Sequence, residues 1–200
     1  MYNTKLVDLL EGDLHSTKDY LSVVLVSRKY MHIWKKMFWF CLGLTFASAF
    51  CMKWIESEFI SNGQVFSIMD LELHLDKQGL VKLFAGMDDK AKTILDYHLH
   101  FDFFFMAGVF PGIAAICMLT RERVERRMIR SMLFIIAALQ LVAWGFDIYE
   151  NTRLLKWMNN PAAIDKIDFY HLLVRLKFII AFSGIVIAVI AFIFFRNRKK

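Results

Sequence analysis

Apolar residues are gathered into four long runs along this chain, and most polar residues lie between the runs. The runs cover about residues 37–54, 98–120, 131–149 and 170–195. A helix of about 20 apolar residues is long enough to cross the hydrocarbon core of a bilayer. The pattern therefore predicts an all-α fold, in which four transmembrane helices form a bundle.

Two polar segments, residues 55–97 and 152–171, separate the first run from the second and the third from the fourth. Within the first segment, weaker helical patterns cover residues 67–75 and 78–85. The acidic pair at 88–89 is typical of a helix start, because acids favour the positive end of the helix dipole. We therefore expect a short helical cap over one end of the bundle, and then a helix that continues into the second span.

The N-terminal segment has a different pattern from the rest of the chain. Leucines at positions 6, 9, 10 and 14 recur at helical spacing. The later apolar stretch at 20–26 is too short to cross a bilayer. We expect residues 1–33 to form an amphipathic cytoplasmic arm, and residues 34–200 to form the membrane domain.

Composition and charge also favour a membrane protein. The chain is 58% hydrophobic and contains 20 phenylalanines, which is too apolar for an ordinary soluble domain. Its net charge of +6 could suggest nucleic acid, but the basic residues flank the first run, separate the second run from the third and follow the fourth. Four spans alternate sides, so these three clusters share one side, which the positive-inside rule makes cytoplasmic. We expect a multi-pass protein of the cell membrane with both termini in the cytoplasm and no nucleic-acid partner.

This topology brings several polar residues to one level, at the outer end of the bundle. Asp147, Glu150 and Asn151 are spaced i, i+3 and i+4, so a helix presents them on one face. Ionisable groups at membrane depth are costly, usually face protein or water, and usually have a partner. The candidate site residues at this level are Glu72, Asp102, Asp147, Glu150, Asn151, His171 and Arg175.

Two interpretations of this polar layer follow from its residue types. In the first, Asp147 and Glu150 pair with Arg175 or Lys177 and hold two helices together. Arg175 is the predicted partner, because an arginine fork can bridge two carboxylates, whereas Lys177 is expected to extend toward the membrane interface. In the second, the layer lines an outward pocket that binds a lipid headgroup or a small polar ligand.

A third interpretation is a divalent metal held by His98, His100, Asp102 and Glu150. The two histidines are spaced i, i+2, which separates them on a helix, so the motif is weak. The three cysteines, at positions 41, 51 and 117, lie within apolar runs and lack metal-ligand spacing. We therefore predict no metal site and no cofactor.

The polar pocket is compatible with three functions. The chain can be a binding protein, an enzyme acting on a lipid, or an assembly or signalling subunit whose arm docks a cytoplasmic partner. The expected partners are the bilayer and either a second copy of the chain or another membrane protein. Anionic lipid is a further expected partner, at the basic run formed by Arg121, Arg123, Arg126, Arg127 and Arg130.

Three short motifs resemble those of an uncharacterised family of four-span bacterial integral membrane proteins. They are Asp70-Leu71-Glu72-Leu73 in the first polar segment, Asp102-x-x-Phe105 leading to Pro111 in the second span, and Asp147-x-x-Glu150-Asn151 in the third. The resemblance covers about residues 65–195. It implies a four-helix protein of the bacterial inner membrane and gives weight to the polar residues as a set, without an activity.

Overall fold

The structure is a computed structural model that describes residues 31–73 and 76–195. The predicted N-terminal arm therefore lies almost entirely outside the described residues. Within the described residues, four helices are long and apolar enough to cross a membrane. The predicted all-α bundle of four membrane-crossing helices is confirmed.

The four long helices are α1, α4, α5 and α6. Helix α1 is described over residues 31–55 and continues into a single 3₁₀ turn at Glu56–Glu58. The other three helices are α4 (Asp89–Arg121), α5 (Arg127–Asn159) and α6 (Ile167–Phe195). A tight turn joins α4 to α5, and a 3₁₀ turn at Pro161–Ala163 precedes α6.

Helices α4 and α5 are longer than their predicted spans. At 1.5 Å per residue, 33 residues make a helix of about 50 Å, whereas the hydrocarbon core is about 30 Å thick. Helix α4 begins at the predicted acidic pair, where Asp88 Oδ1 accepts a 2.7 Å hydrogen bond from the Ala91 amide. Helix α5 continues ten residues past 149, because Leu154 and Trp157 are buried in an apolar core beyond the span.

The cap is built from the chain between α1 and α4. It contains a two-stranded hairpin, β1 (Ile60–Ser61) with β2 (Gln64–Val65), which the sequence did not predict. The turn residues Asn62 and Gly63 both have positive φ, as a tight Asn-Gly hairpin turn requires. The short helices α2 (Ile68–Leu73) and α3 (Lys77–Ala85) follow, close to their predicted positions.

The bundle has two ends of different character. The cap end is the end formed by residues 56–88 and 160–166. The arginine end is the end formed by residues 121–130 and the last turns of α6. Apolar cores lie at both ends, and the polar layer lies between them, closer to the cap end.

Helix α1 lies at the periphery of the bundle and packs against α4. Only 11% of its most apolar window is buried, compared with 50% for α4. The contact depends on small residues: a Cβ added to Gly108 would lie 2.6 Å from Thr45 Oγ1 and 2.9 Å from the Cys41 carbonyl oxygen. Close approach of backbones at glycine is a common basis for helix association in membranes.

Candidate functional site

The Lys177 ammonium is the centre of a buried group of charges. Its Nζ atom lies 2.5 Å from Asp147 Oδ1, 2.5 Å from Glu150 Oε2 and 3.8 Å from Glu72 Oε2. All four side chains are buried. We call these four residues the carboxylate–lysine cluster.

Three elements bring the cluster together. Asp147 and Glu150 stand one turn apart on the face of α5 that packs against α6. Lys177 lies on the facing side of α6, and Glu72 reaches the same point from α2 in the cap. The cluster therefore joins two membrane-crossing helices to the cap.

Asp102 and Asn151 form a second polar pair beside the cluster. Asn151 Nδ2 donates a 2.7 Å hydrogen bond to Asp102 Oδ2 and a longer one, 3.4 Å, to the Leu99 carbonyl oxygen. Both side chains are buried. This bond joins α4 to α5, so all four predicted polar residues of α4 and α5 contribute to one layer.

Glu72 is the cluster member that lies outside the membrane-crossing helices. Burial raises the pKa of its carboxyl above the ordinary value, because an apolar environment disfavours the charged form. The charge of Lys177 and a hydrogen bond with Glu150 oppose this rise, and the charge of Asp147 adds to it. Proton and cation binding at the cluster are therefore linked.

The predicted partner of the acids was wrong. Arg175 is exposed, and the cation that contacts Asp147 and Glu150 is Lys177. Residues two apart point about 200° apart on a helix, so only one of them can face α5. The buried positions of α6 recur at helical spacing, and Lys177 is in phase with them: they are Tyr170, Val174, Lys177, Gly184, Ala188 and Ala191. This periodicity is the signal that could have identified Lys177 from the sequence.

His171 is the remaining predicted site residue. It is partly buried near the start of α6, and its ring centroid lies 5.6 Å from that of Tyr170. Tyr170 in turn packs against Trp157, with 5.0 Å between the ring centroids. His171 therefore belongs to the aromatic packing at the cap end, two turns from Lys177 along α6.

A cavity of about 330 Å³ reaches the polar layer. Its polar end is lined by Glu72, His98, Asp102, Asp147 and Lys177. The rest of its wall is apolar and comes from four helices, with Met52, Ile68, Met69, Phe105, Val109, Phe110, Ile113, Phe178, Ala181, Phe182 and Ile185 as lining residues. The cavity thus combines a short charged end with a long apolar wall.

The cavity is open on the side of the bundle that would face lipid. Phe182 of α6 is 63% exposed although it lines the cavity, and Met69 of α2 is 44% exposed. Ile185, one turn along α6 from Phe182, is also exposed. These residues form an apolar rim, through which a molecule from the bilayer can reach the interior.

The set suggested as a metal site is not brought together. His98 is buried against Phe59, whereas His100 is exposed and bonds through Nδ1 to the Asp96 carbonyl oxygen at 2.7 Å. Among residues 31–73 and 76–195, no group of three or more His, Cys, Asp or Glu side chains is arranged to hold a metal ion.

The basic run at the arginine end makes local contacts. Arg121 pairs with Glu122 at 3.0 Å and lies over the Phe134 ring. Arg123 lies over the ring of Phe192 near the end of α6. Binding of anionic lipid to this run stays a prediction.

Comparison of the chain with protein-family models, with curated proteins and with solved structures found no match. The resemblance to a four-span bacterial family therefore stays a prediction. The function has to be argued from the polar layer and its cavity.

Proposed function

We propose that this multi-pass membrane protein binds an amphipathic molecule from the bilayer in the cavity between α1, α4 and α6. The polar head lies against the charged end, and the hydrocarbon chain lies along the phenylalanines. The observation that carries the proposal is the cavity, whose polar end is part of a buried charge cluster and whose rim is apolar and exposed.

The size and wall of the cavity support this occupant. Small-molecule sites have volumes of about 300–1,000 Å³, with mostly apolar walls and a few polar groups that fix orientation. A purely polar ligand would leave the phenylalanine wall without a partner. A purely apolar one would leave the carboxylates without one, and buried charges without partners are costly. An amphipathic molecule matches both parts.

A cavity-filling substitution tests the proposal. Ala181 lines the cavity, whereas Ala138 is exposed on α5, so Ala181→Phe and Ala138→Phe add the same side chain inside and outside the site. Native mass spectrometry of protein released from lipid nanodiscs should detect a retained amphiphile in the wild type and in Ala138→Phe. Ala181→Phe should lose it. Equal retention by both variants, or none by the wild type, would contradict the proposal.

An enzyme acting on a lipid and an assembly or signalling subunit are the other functions that the sequence predicts. The same spectra distinguish the first, because an enzyme would convert the retained lipid to a product of different mass. Pull-down of a cytoplasmic partner with residues 1–33, compared with a chain lacking them, distinguishes the second. The buried acids and the cavity favour binding as the primary proposal.

We also propose that the cap end faces outward across the bacterial inner membrane and that both termini are cytoplasmic. The support is the position of the basic clusters along the sequence. Lys82 and Glu125 are exposed at opposite ends of the bundle. A cysteine at position 82 should react with an impermeant maleimide from outside, and one at position 125 only after the membrane is opened. The reverse order of labelling would invert the proposed orientation.

A further inference from the structure

The charges at the polar end of the cavity do not balance. Four carboxylic acids meet there, Glu72, Asp102, Asp147 and Glu150, and the lysine of the cluster is their cation. Lys177 carries three N–H donors, and its three acidic neighbours are the other members of the cluster. Asp102 is the acid that Lys177 does not contact within salt-bridge distance.

Asp102 has an uncharged partner and an open side. Its Oδ2 atom accepts the hydrogen bond from Asn151, which is an amide and supplies no charge. The side chain is 9% exposed, and it lines the cavity. A buried carboxylate is usually paired with a cation, and the open side of this one faces the place where a ligand would lie.

His98 provides an independent observation at the same place. It stands one turn before Asp102 on the same face of α4 and lines the same cavity. The side chain is only 3% exposed, yet its Nδ1 atom has no hydrogen-bond partner among the residues that the structure describes. Buried polar atoms in proteins normally have a partner, so this nitrogen also indicates that a polar group is bound beside Asp102.

We propose that the head of the bound amphiphile carries an ammonium group, which lies against the Asp102 carboxylate beside His98. This inference rests on the proposed function and names the chemical class of its ligand. An ammonium supplies the cation that Asp102 lacks and N–H donors for neighbouring acceptors. An anionic head would instead meet an excess of carboxylates, because Lys177 is already in contact with Asp147 and Glu150.

Three probes of equal chain length separate the effect of the head from that of the tail. Dodecylammonium, dodecanol and dodecyl sulfate, each radiolabelled, are bound in turn to the full chain in nanodiscs and measured by scintillation proximity. We expect dodecylammonium to bind at least about tenfold more tightly than dodecanol, the ratio that one charge-assisted hydrogen bond provides, and dodecyl sulfate to bind most weakly.

Asp102→Asn should remove this preference, because an asparagine can still accept the Asn151 bond but carries no charge. The affinity for dodecylammonium should fall about tenfold, and the affinity for dodecanol should stay within about twofold. The matched control is Asp96→Asn, which removes the same charge from an exposed position of α4. It should leave all three affinities unchanged.

A second measurement needs no variant. A membrane-soluble carbodiimide activates a carboxyl group, and bound dodecylamine then displaces the activating group to form an amide, with release of the carbodiimide as its urea. Peptide mapping should find the dodecyl amide at residue 102. Labelling confined to exposed acids such as Glu58 would overturn the inference even if Asp102→Asn did not fold.

The outcomes separate this inference from the function on which it rests. If none of the three probes binds, the proposed function fails. If dodecanol or dodecyl sulfate binds as tightly as dodecylammonium, the proposed function stands and the ammonium assignment is overturned. If Asp96→Asn changes the preference as much as Asp102→Asn, the preference comes from general charge rather than from Asp102, which also overturns it.

Discussion

The two ends of the bundle join the same helices, α4, α5 and α6, by different means. At the arginine end, small side chains such as Cys117, Ala137 and Ala188 are buried between the helices. At the cap end, Asp147 and Lys177 join α5 to α6 by charge. One end is held by close apolar contact and the other by buried ions.

The difference follows from what each kind of contact can do inside a bilayer. Lipid tails are as apolar as the helices, so apolar helices associate through close packing, for which small residues are suited. Close packing leaves little room for a ligand. Buried ions can hold helices together at a point and leave space beside it, and the cavity lies beside the carboxylate–lysine cluster. The comparison teaches that the end held by ions is the end at which a binding site can form.

Loss of the lysine should have the largest effect on this comparison. Lys177→Met keeps the volume of the side chain but leaves Asp147 and Glu150 without their cation. Removing one partner of a buried ion pair costs about 3–5 kcal/mol in the free energy of unfolding. The control is Arg175→Met, two residues away and exposed, which should cost much less. Unfolding in micelles measures both, and a stable Lys177→Met protein would contradict the role of ions at the cap end.

The contact between α1 and α4 gives the next largest effect, because it extends the principle of close packing to the peripheral helix. In Gly108→Ala the new methyl group would lie 2.8 Å from the Thr45 amide nitrogen and 2.9 Å from the Cys41 carbonyl oxygen. Backbone atoms cannot move aside cheaply, so we expect a cost of about 1–3 kcal/mol. Gly43→Ala is the matched control on α1, since nothing lies within 4 Å of its added Cβ. It should be neutral or slightly stabilising.

The sequence predicted the helices well because their signals are local. Apolar runs and the acidic pair at 88–89 lie within the elements that they specify, so α4 was expected to begin near Asp89, as it does. The hairpin at 60–65 was missed because two residues per strand carry no recognisable alternation. The extra turns of α5 were missed because Leu154 and Trp157 are buried by contacts with the cap, which are not local.

The polar layer was predicted in part. The spacing of Asp147, Glu150 and Asn151 placed them on one face, and Asp102 and Glu72 were expected at the same level. The identity of the cation was wrong because bidentate geometry was given more weight than helical phase, and phase decides which side chain of α6 faces α5. The cavity could not be predicted, because its wall combines residues from four separate helices.

The pH dependence of stability should show the smaller contribution of Glu72. Its pKa is raised by burial, so the folded state holds this proton at a pH where the unfolded chain has lost it. Stability from this group is therefore full below its ordinary pKa of about 4.5 and falls as the pH rises through the folded value. The fall amounts to about 1.4 kcal/mol for each unit by which the pKa is raised.

The variant Glu72→Gln has no proton to lose, so its melting temperature should fall less than that of the wild type between pH 4.5 and pH 8. The matched control is Glu58→Gln, at an exposed position of the cap end, which removes the same kind of group without touching the cluster. A wild-type melting temperature that instead rises across this range would mean that the Lys177 contacts outweigh burial at Glu72.

The smallest effect is expected at Gln140, which lies on α5 two turns from Asp147 toward the arginine end. Its side chain is fully buried and donates a 3.1 Å hydrogen bond to the Ile180 carbonyl oxygen of α6. The acceptor Oε1 has no hydrogen-bond partner among the described residues, so Gln140→Leu removes one bond and one unsatisfied atom together. Hydrogen bonds between membrane helices average about 0.6 kcal/mol, and the net change should be no larger.

Gly184 provides the contrast for this position, because its missing Cβ leaves the space that the Gln140 amide occupies. In Gly184→Ala the new methyl group would lie 2.6 Å from Gln140 Nε2 and 2.8 Å from Ile113 Cγ2. Close packing should therefore matter more here than the hydrogen bond, and Gly184→Ala should cost more than Gln140→Leu in the same unfolding measurement. If Gln140→Leu were instead as costly as Lys177→Met, polar contacts would govern the middle of the bundle as well. The division between an end held by ions and an end held by packing would then be lost.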